Sequence, residues 1–402
     1  MNAEPAMACC PAGQGRDDRK SGAIAEAHSH AEPGARVAPS FAFAREVLRS
    51  SAMRQHGAGA ANIKLDNPDH ASVFFLDGDA HRKRRSAIAG FFAPKAIVTR
   101  HQPIMQRTMD RELARLMAEG SRPLDEMSFQ MAVDVAAEII GLTDSPDQAG
   151  LPDRLRRMLG FSSLQNRGFL SRLWAKAMAA KRAMDIIRLD LRPAVRARKA
   201  APRDDVISYM VKEGYSEKSM LVECMTYGTA GMMTTREFIV MCAWHLFTND
   251  PLRERFLSGS EDDQFAILEE ILRLEPVAAV LHRRAAEAIA QSADGPVQEG
   301  EVIAIDIRLA NTDEAITGPC PLALDPDRAR RMKVVGSYMS FGDGAHRCPG
   351  SQVALHETRV FLDRLLRVPG IRLEREPEIT WFAMIGSYEL RGAIVSVDPA
   401  AA

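Results

Sequence analysis

The chain has 402 residues, 46% of them hydrophobic and 26% charged, enough to bury one large core or two ordinary ones. Lys plus Arg number 52 against 53 for Asp plus Glu, so the formal charge of −1 excludes a global field for gripping nucleic acid or an anionic membrane. No stretch reaches the ~18 apolar residues of a membrane span.

In chain order, residues 1–40 are rich in Ala, Gly and Pro without periodicity, and a mobile tail is expected there. Its "CC" at 9–10 and "HSH" at 28–30 do not match zinc-site spacing. It also lacks the apolar core of a secretory signal. The six cysteines show no framework spacing, so a reduced, cytoplasmic setting is expected.

From Phe41 onward, apolar residues recur at three- and four-residue intervals in "FAFAREVLRS", "HQPIMQRTMDRELARLMAEG", "FQMAVDVAAEIIGL" and "LWAKAMAAKRAMDIIRLDLRPAVRARKA". "SMLVECMTYGTAGMMTTREFIVMCAWHLF" reads as one helix of ~45 Å that stops at "TNDP". "DDQFAILEEILRLEP" is another, closed by Pro276. "GEVIAIDIRLAN" and "RGAIVSVDP" alternate and predict strands. The expected fold is mainly α with small β-sheets in the C-terminal half. No linker-like break interrupts residues 41–402, so a single domain is expected there.

"FGDGAHRCPG" at 341–350 carries the chemistry. Gly342 and Gly344 permit backbone angles and approaches that a side chain forbids. Pro349 reads as a first helical residue, making Cys348 the expected N-cap, at the positive end of a helix dipole that favours thiolate. Such a sulfur could be a nucleophile with His346 as its base. A zinc site lacks nearby partners. A thiolate-ligated haem iron needs only one sulfur and a closely approaching loop, and suits the two glycines best.

The loop resembles that of bacterial cytochrome P450 enzymes: Phe341, Gly342, Gly344, His346, Cys348 and Gly350 match its fixed positions, and Ala354 and Glu357 continue the pattern. The resemblance implies a triangular, mostly helical prism over residues 41–402, with haem b between the long central helix and the Cys-ligand helix. It makes Cys348 the iron ligand, Phe341 a neighbour of the sulfur, and His346 a haem-propionate partner. "EEILRLEP" resembles the family's Glu-x-x-Arg through Glu270 and Arg273, with Arg328 of "LDPDR" as third member of a structural triad. "DGDAHRKRRSAIAGFFAP" offers His81 and Arg85 as propionate partners, leaving Arg82, Lys83 and Arg84 as a solvated basic face. In "HRRAAE", Arg283 is expected to serve likewise.

In the long helix, Ala230, Gly231, Thr234 and Thr235 align with the family's oxygen-groove pattern. Ala230 and Gly231 would leave room for O2 and substrate, and the Thr234 hydroxyl would relay protons while bonding to a carbonyl one turn back. Met233 stands where an acid is usual; Glu237, one turn on, is either a substitute relay or an ordinary ion-pair partner. The implied activity is insertion of one O2-derived oxygen atom into a small, largely apolar molecule. Electrons from NAD(P)H would arrive through a separate ferredoxin or flavodoxin and its reductase, steered by the run Arg82–Arg85 with Arg347. No nucleic-acid or membrane partner is expected. Phe161, Phe169 and Leu170 are pocket candidates. The alternative is a catalytically impaired haem-thiolate binding or sensing protein.

Overall fold

The computed structural model describes residues 32–57, 67, 70–159, 169–382 and 386–398. The helices that matter are α1 (Phe41–Arg49), α2 (Gly78–Ile88), α3 (Gln102–Glu119), α4 (Leu124–Ile140), α5 (Leu151–Leu159), α6 (Phe169–Ile186) and α7 (Arg192–Ala200). They continue with α8 (Val206–Lys212), α9 (Glu217–Tyr227), α10 (Thr234–Thr248), α11 (Asp250–Ser258), α12 (Glu261–Leu274) and α13 (Ser351–Leu366). Sequence signals set many of their ends. Ser40 accepts the Phe43 N–H at the start of α1, Ser260 and Asp263 form a reciprocal capping box on α12, and Gly120 and Gly141 close α3 and α4 in left-handed conformation.

The long central helix is continuous but not uniform. A π turn over Gly228–Met233 joins α9 to α10 at "GTAGMM". α10 is apolar nearly all round, and Met241, Cys242 and Trp244 are fully buried, as befits a helix surrounded by others. It packs on α4, α12 and α13. A second π turn, Ile187–Leu191, joins α6 to α7.

Among the described residues, nine short strands form three sheets: β1 (Arg36–Val37), β2 (Met53–His56), β3 (Ser121–Pro123), β4 (Val280–Ala285), β5 (Val302–Asp306), β6 (Arg372–Arg375), β7 (Glu378–Phe382), β8 (Ser387–Arg391) and β9 (Ile394–Ser396). The sheet orders are β1-β5-β4-β2, β3-β9-β6 and β7-β8. Only β1 and β5 are parallel; Gln55 stands opposite Arg283.

Three expectations need correction. β1, β2 and β3 draw the N-terminal part of the chain into the sheets, which are not confined to the C-terminal half. Residues 32–40 hold a strand and a helix cap rather than continuing the tail; the rest of the tail, with the 9–10 and 28–30 pairs, lies outside the described residues. "GEVIAIDIRLAN" is a strand only to Asp306, whose side chain accepts the Leu309 N–H and starts the short helix Ile307–Asn311. Among the described cysteines, Cys224, Cys242 and Cys348 are free thiols.

Candidate active site

The loop 341–350 is held from both ends. The Cys348 N–H donates to the Phe341 carbonyl at 2.9 Å, closing it on itself. Gly342 and Gly344 have φ of 69° and 67°. A Cβ on Gly344 would lie 2.2 Å from the Leu48 carbonyl oxygen, so the loop can dock on the end of α1 only as glycine. Asp343 fixes the contact, accepting from Arg49 at 2.9 and 3.0 Å with Arg45 3.3 Å away. Burial works to raise its pKa, but the Arg49 hydrogen bonds and the Gly344 N–H leave it below the ordinary value.

α13 begins at Ser351 with Gly350 as its cap, so Cys348 is two residues ahead of the N-cap rather than the cap itself. Burial pushes its thiol up, while the Gly350 N–H, Arg85 and Arg347 favour the thiolate without prevailing. A Cβ on Gly350 would meet Phe92 at 3.8 Å and the Cys348 Sγ at 4.0 Å.

Beside the sulfur, α2, β4 and the loop bring together His81, Arg85, Arg283 and His346. The two imidazoles stack at 4.1 Å. His346 Nε2 is 3.1 Å from the Asp77 carboxylate, which also accepts the Gln55 N–H at 3.2 Å. Arg85 donates to the Arg347 carbonyl at 2.8 Å. Arg283 has one hydrogen bond among the described residues, to the carbonyl of His282. Burial, then His346, Arg85 and Arg283, drive His81 down to about 4 against the pull of Asp77. Burial takes Arg283 down to about 10. Two guanidinium groups and two imidazoles thus face one carboxylate, an arrangement that further anionic oxygen would complete.

On the central helix, the Thr234 hydroxyl donates to the Ala230 carbonyl at 2.6 Å, as expected. Ala230 is exposed, and a Cβ on Gly231 would meet nothing within 4 Å. Met233 is buried in an apolar cluster with Leu159 of α5 and Phe382 of β7, against which Met225 packs. Glu237 does not serve Thr234. Its carboxylate, 1% exposed, accepts from the Leu390 N–H at 2.7 Å, Arg391 Nη1 at 2.8 Å and Arg236 Nε at 2.8 Å, and so ties α10 to β8. The relay expectation for Glu237 is corrected on that ground.

Arg84 also departs from expectation. It is 3% exposed, 3.5 Å from Glu223 of α9 and stacked under the rings of Tyr215 and Tyr209. Only Arg82 and Lys83 of the run form an exposed basic face. Further groups that sequence reasoning missed are Asp77, Asp343, Glu223 and Tyr227. Tyr227 stacks on Phe92 at 6.3 Å, and burial, with Glu223 beside it, raises its pKa well above the ordinary value. An acid inside the apolar run "LVECMTY" was the available signal for Glu223. Phe161 and the side chains of Phe169 and Leu170 lie outside the described residues.

Behind the loop, Arg273 pairs with Glu270 through two bonds of 2.7 Å, and Arg328 joins at 3.4 Å. Arg328 also donates to the Thr317, Cys320 and Ala323 carbonyls. This buried triad braces the segment that leads into the cysteine loop.

A mainly helical chain with one looped cysteine beside two arginines and two imidazoles, and with a small-residue gap in its central helix, has the build of a haem-thiolate protein. The comparisons agree. Residues 265–369 match the family model for cytochrome P450. Mycinamicin IV hydroxylase/epoxidase of Micromonospora griseorubida is 27% identical over 331 residues, covering 79% of this chain and 75% of its own. Cytochrome P450 CYP105Q4 of Mycobacterium marinum is 28% identical over 310 residues, covering 75% of this chain and 70% of its own. The crystal structure of CalO2 superposes with a TM-score of 0.75 at 20% identity, over 96% of this chain and 98% of that one. The chain is thus similar to cytochrome P450 enzymes, in sequence over residues 265–369 and in its overall fold. That likeness implies a haem, O2, a substrate and a source of electrons. The residues present fit a haem, whose two propionates would supply carboxylates beside His81, Arg85, Arg283 and His346.

Proposed function

We propose that this chain is a haem-thiolate monooxygenase that inserts one O2-derived oxygen atom into a small, largely apolar molecule. Residues 41–402 form the catalytic domain. The cofactor is haem b, and electrons come from NAD(P)H through a ferredoxin or flavodoxin and its reductase, in the cytoplasm. No helix among the described residues is long and apolar enough to cross a membrane. The observation that carries the reading is the single loop sulfur beside a buried, carboxylate-poor cluster of cations.

Each residue then has a task. Cys348 holds the iron as thiolate, with Phe341 packed beside it and Gly342 and Gly350 shaping the turn. His81, Arg85, Arg283 and His346 bind the propionates through charge-assisted hydrogen bonds. Bound haem iron supplies O2 activation, which a thiolate ligand promotes by donating electron density. Ala230 and Gly231 would leave room for O2 and substrate beside a bound haem. Thr234, bonded back to Ala230, opens the helix there and holds a proton at Oγ1. Met233, Leu159 and Phe382 exclude water from the apolar side of the pocket.

One observation favours a second reading, an impaired binding or sensing protein: with Met233 apolar and Glu237 committed to β8, neither supplies a free acid next to Thr234. Product formed per NAD(P)H consumed in a reconstituted redox chain separates the two. Stoichiometric product supports the monooxygenase; none, with haem bound, supports the alternative.

A further inference from the structure

Surface arginines on this chain are largely neutralised in place. Arg36 lies against Asp294, Arg111 against Asp134, Arg255 against Asp327 and Arg364 against Asp110. The run made by α6, its π turn and α7 departs from that habit. Over residues 174–200, Lys and Arg outnumber Asp and Glu eight to two, in a chain whose total charge is −1. Two of these ten are internal: Arg198 is buried against Asp144 and Asp205, and Asp190 against Arg154. Arg192 meets Glu217. Lys176, Lys181, Arg188, Arg196 and Lys199 are exposed, and none has an ion pair among the described residues.

Their spacing puts them in register. Residues 181, 188, 192, 196 and 199 follow one another at one- or two-turn intervals along one helix face. Trp174 and Met184, 58% and 52% exposed, lie on the same stripe. The buried side of the run packs on α5, α8 and α9, and not on the cysteine loop. α5 ends at Leu159, which touches Met233 of the central helix. The run is therefore linked through α5 to the Met233 side of the central helix.

Composition and place together identify the occupant. Trp, Met and Arg are the residue types enriched in protein interfaces. Two large apolar side chains are too few for the broad apolar face that an interfacial lipid-binding helix presents. The guanidinium forks of Arg188 and Arg196, two turns apart, match carboxylates on a helix laid alongside them. A partner seated here lies over elements that pack toward Met233 rather than over the cysteine loop, a place suited to delivering substrate rather than electrons.

We propose that the exposed face of α6–α7 docks an acidic, helical protein that presents a covalently tethered apolar substrate to the pocket. This rests on the monooxygenase reading, but its test does not depend on turnover. The probe is an acidic acyl carrier protein loaded with a long-chain acyl group. Its binding to the haem-loaded enzyme is measured by calorimetry and gel filtration, beside the free fatty acid and phosphatidylglycerol vesicles. Wild type binds the loaded carrier, more weakly as salt rises. The double variant R188E/R196E, with unchanged thermal melting, loses about tenfold or more in carrier affinity and none for the free acid. Equal carrier binding by variant and wild type overturns the proposal. So does binding of wild type to the vesicles but not to the carrier.

Discussion

Restoring the family's usual acid by Met233→Asp is the most informative single change, and the structure predicts that it fails. Met233 is 5% exposed and packed on Leu159 and Phe382. Removing its side chain from that cluster forfeits about 1.5–3 kcal/mol of apolar burial. The new carboxyl meets no donor in the cluster, and an unpaired buried polar group costs about 1–3 kcal/mol more. Together the loss is about 2.5–6 kcal/mol, and burial holds the new group protonated near neutral pH. Urea unfolding of the haem-loaded protein measures the loss, and product per NAD(P)H measures coupling. Met233→Leu, a volume-conserving control, should cost less than about 1.5 kcal/mol. An aspartate variant as stable as wild type and better coupled would refute the claim that this position is a sealed apolar wall.

Glu237→Gln removes the charge that Arg236 and Arg391 share, and should cost about 3 kcal/mol in stability while leaving coupling unchanged; lost coupling at full stability would reinstate Glu237 as a relay. Thr234→Ala should divert electrons to peroxide, and an unchanged peroxide yield would remove the relay role. Gly344→Ala should abolish haem loading, since its Cβ would strike the Leu48 carbonyl, whereas Gly231→Ala should load haem normally because its Cβ meets nothing. Burial holds folded His81 near 4, below its ordinary 6.5, so its contribution to apoprotein stability is complete above 6.5 and lost as pH falls through 4. His81→Gln should flatten that part of the acid-unfolding curve; an identical curve would contradict the burial argument.

The parts legible in the sequence are those fixed by neighbours close in the chain. The cysteine loop is ten residues long, and Glu270 and Arg273 sit one helical turn apart. The central helix shows its apolar run even through the π turn at "GTAGMM". The parts that were not legible depend on remote partners. β1 and β2 are two and four residues long and exist because β5 and β4 pair with them. Glu237 reads as either a relay or a surface ion pair until Leu390 and Arg391, more than 150 residues on, close around it. Arg84 sits in a basic run and looks solvated, yet Glu223 and two tyrosines bury it. Cys348 was expected to cap a helix that begins two residues later, because Pro349 carries the composition of a first helical residue but not its position.

The central claim is that Cys348 is the thiolate ligand of a haem. A reduced-plus-CO difference spectrum of the haem-loaded protein tests it most directly. The account predicts the long-wavelength band typical of thiolate ligation, abolished by Cys348→Ser. A band at the position of a neutral ligand in the wild type, or one that survives Cys348→Ser unchanged, would contradict it.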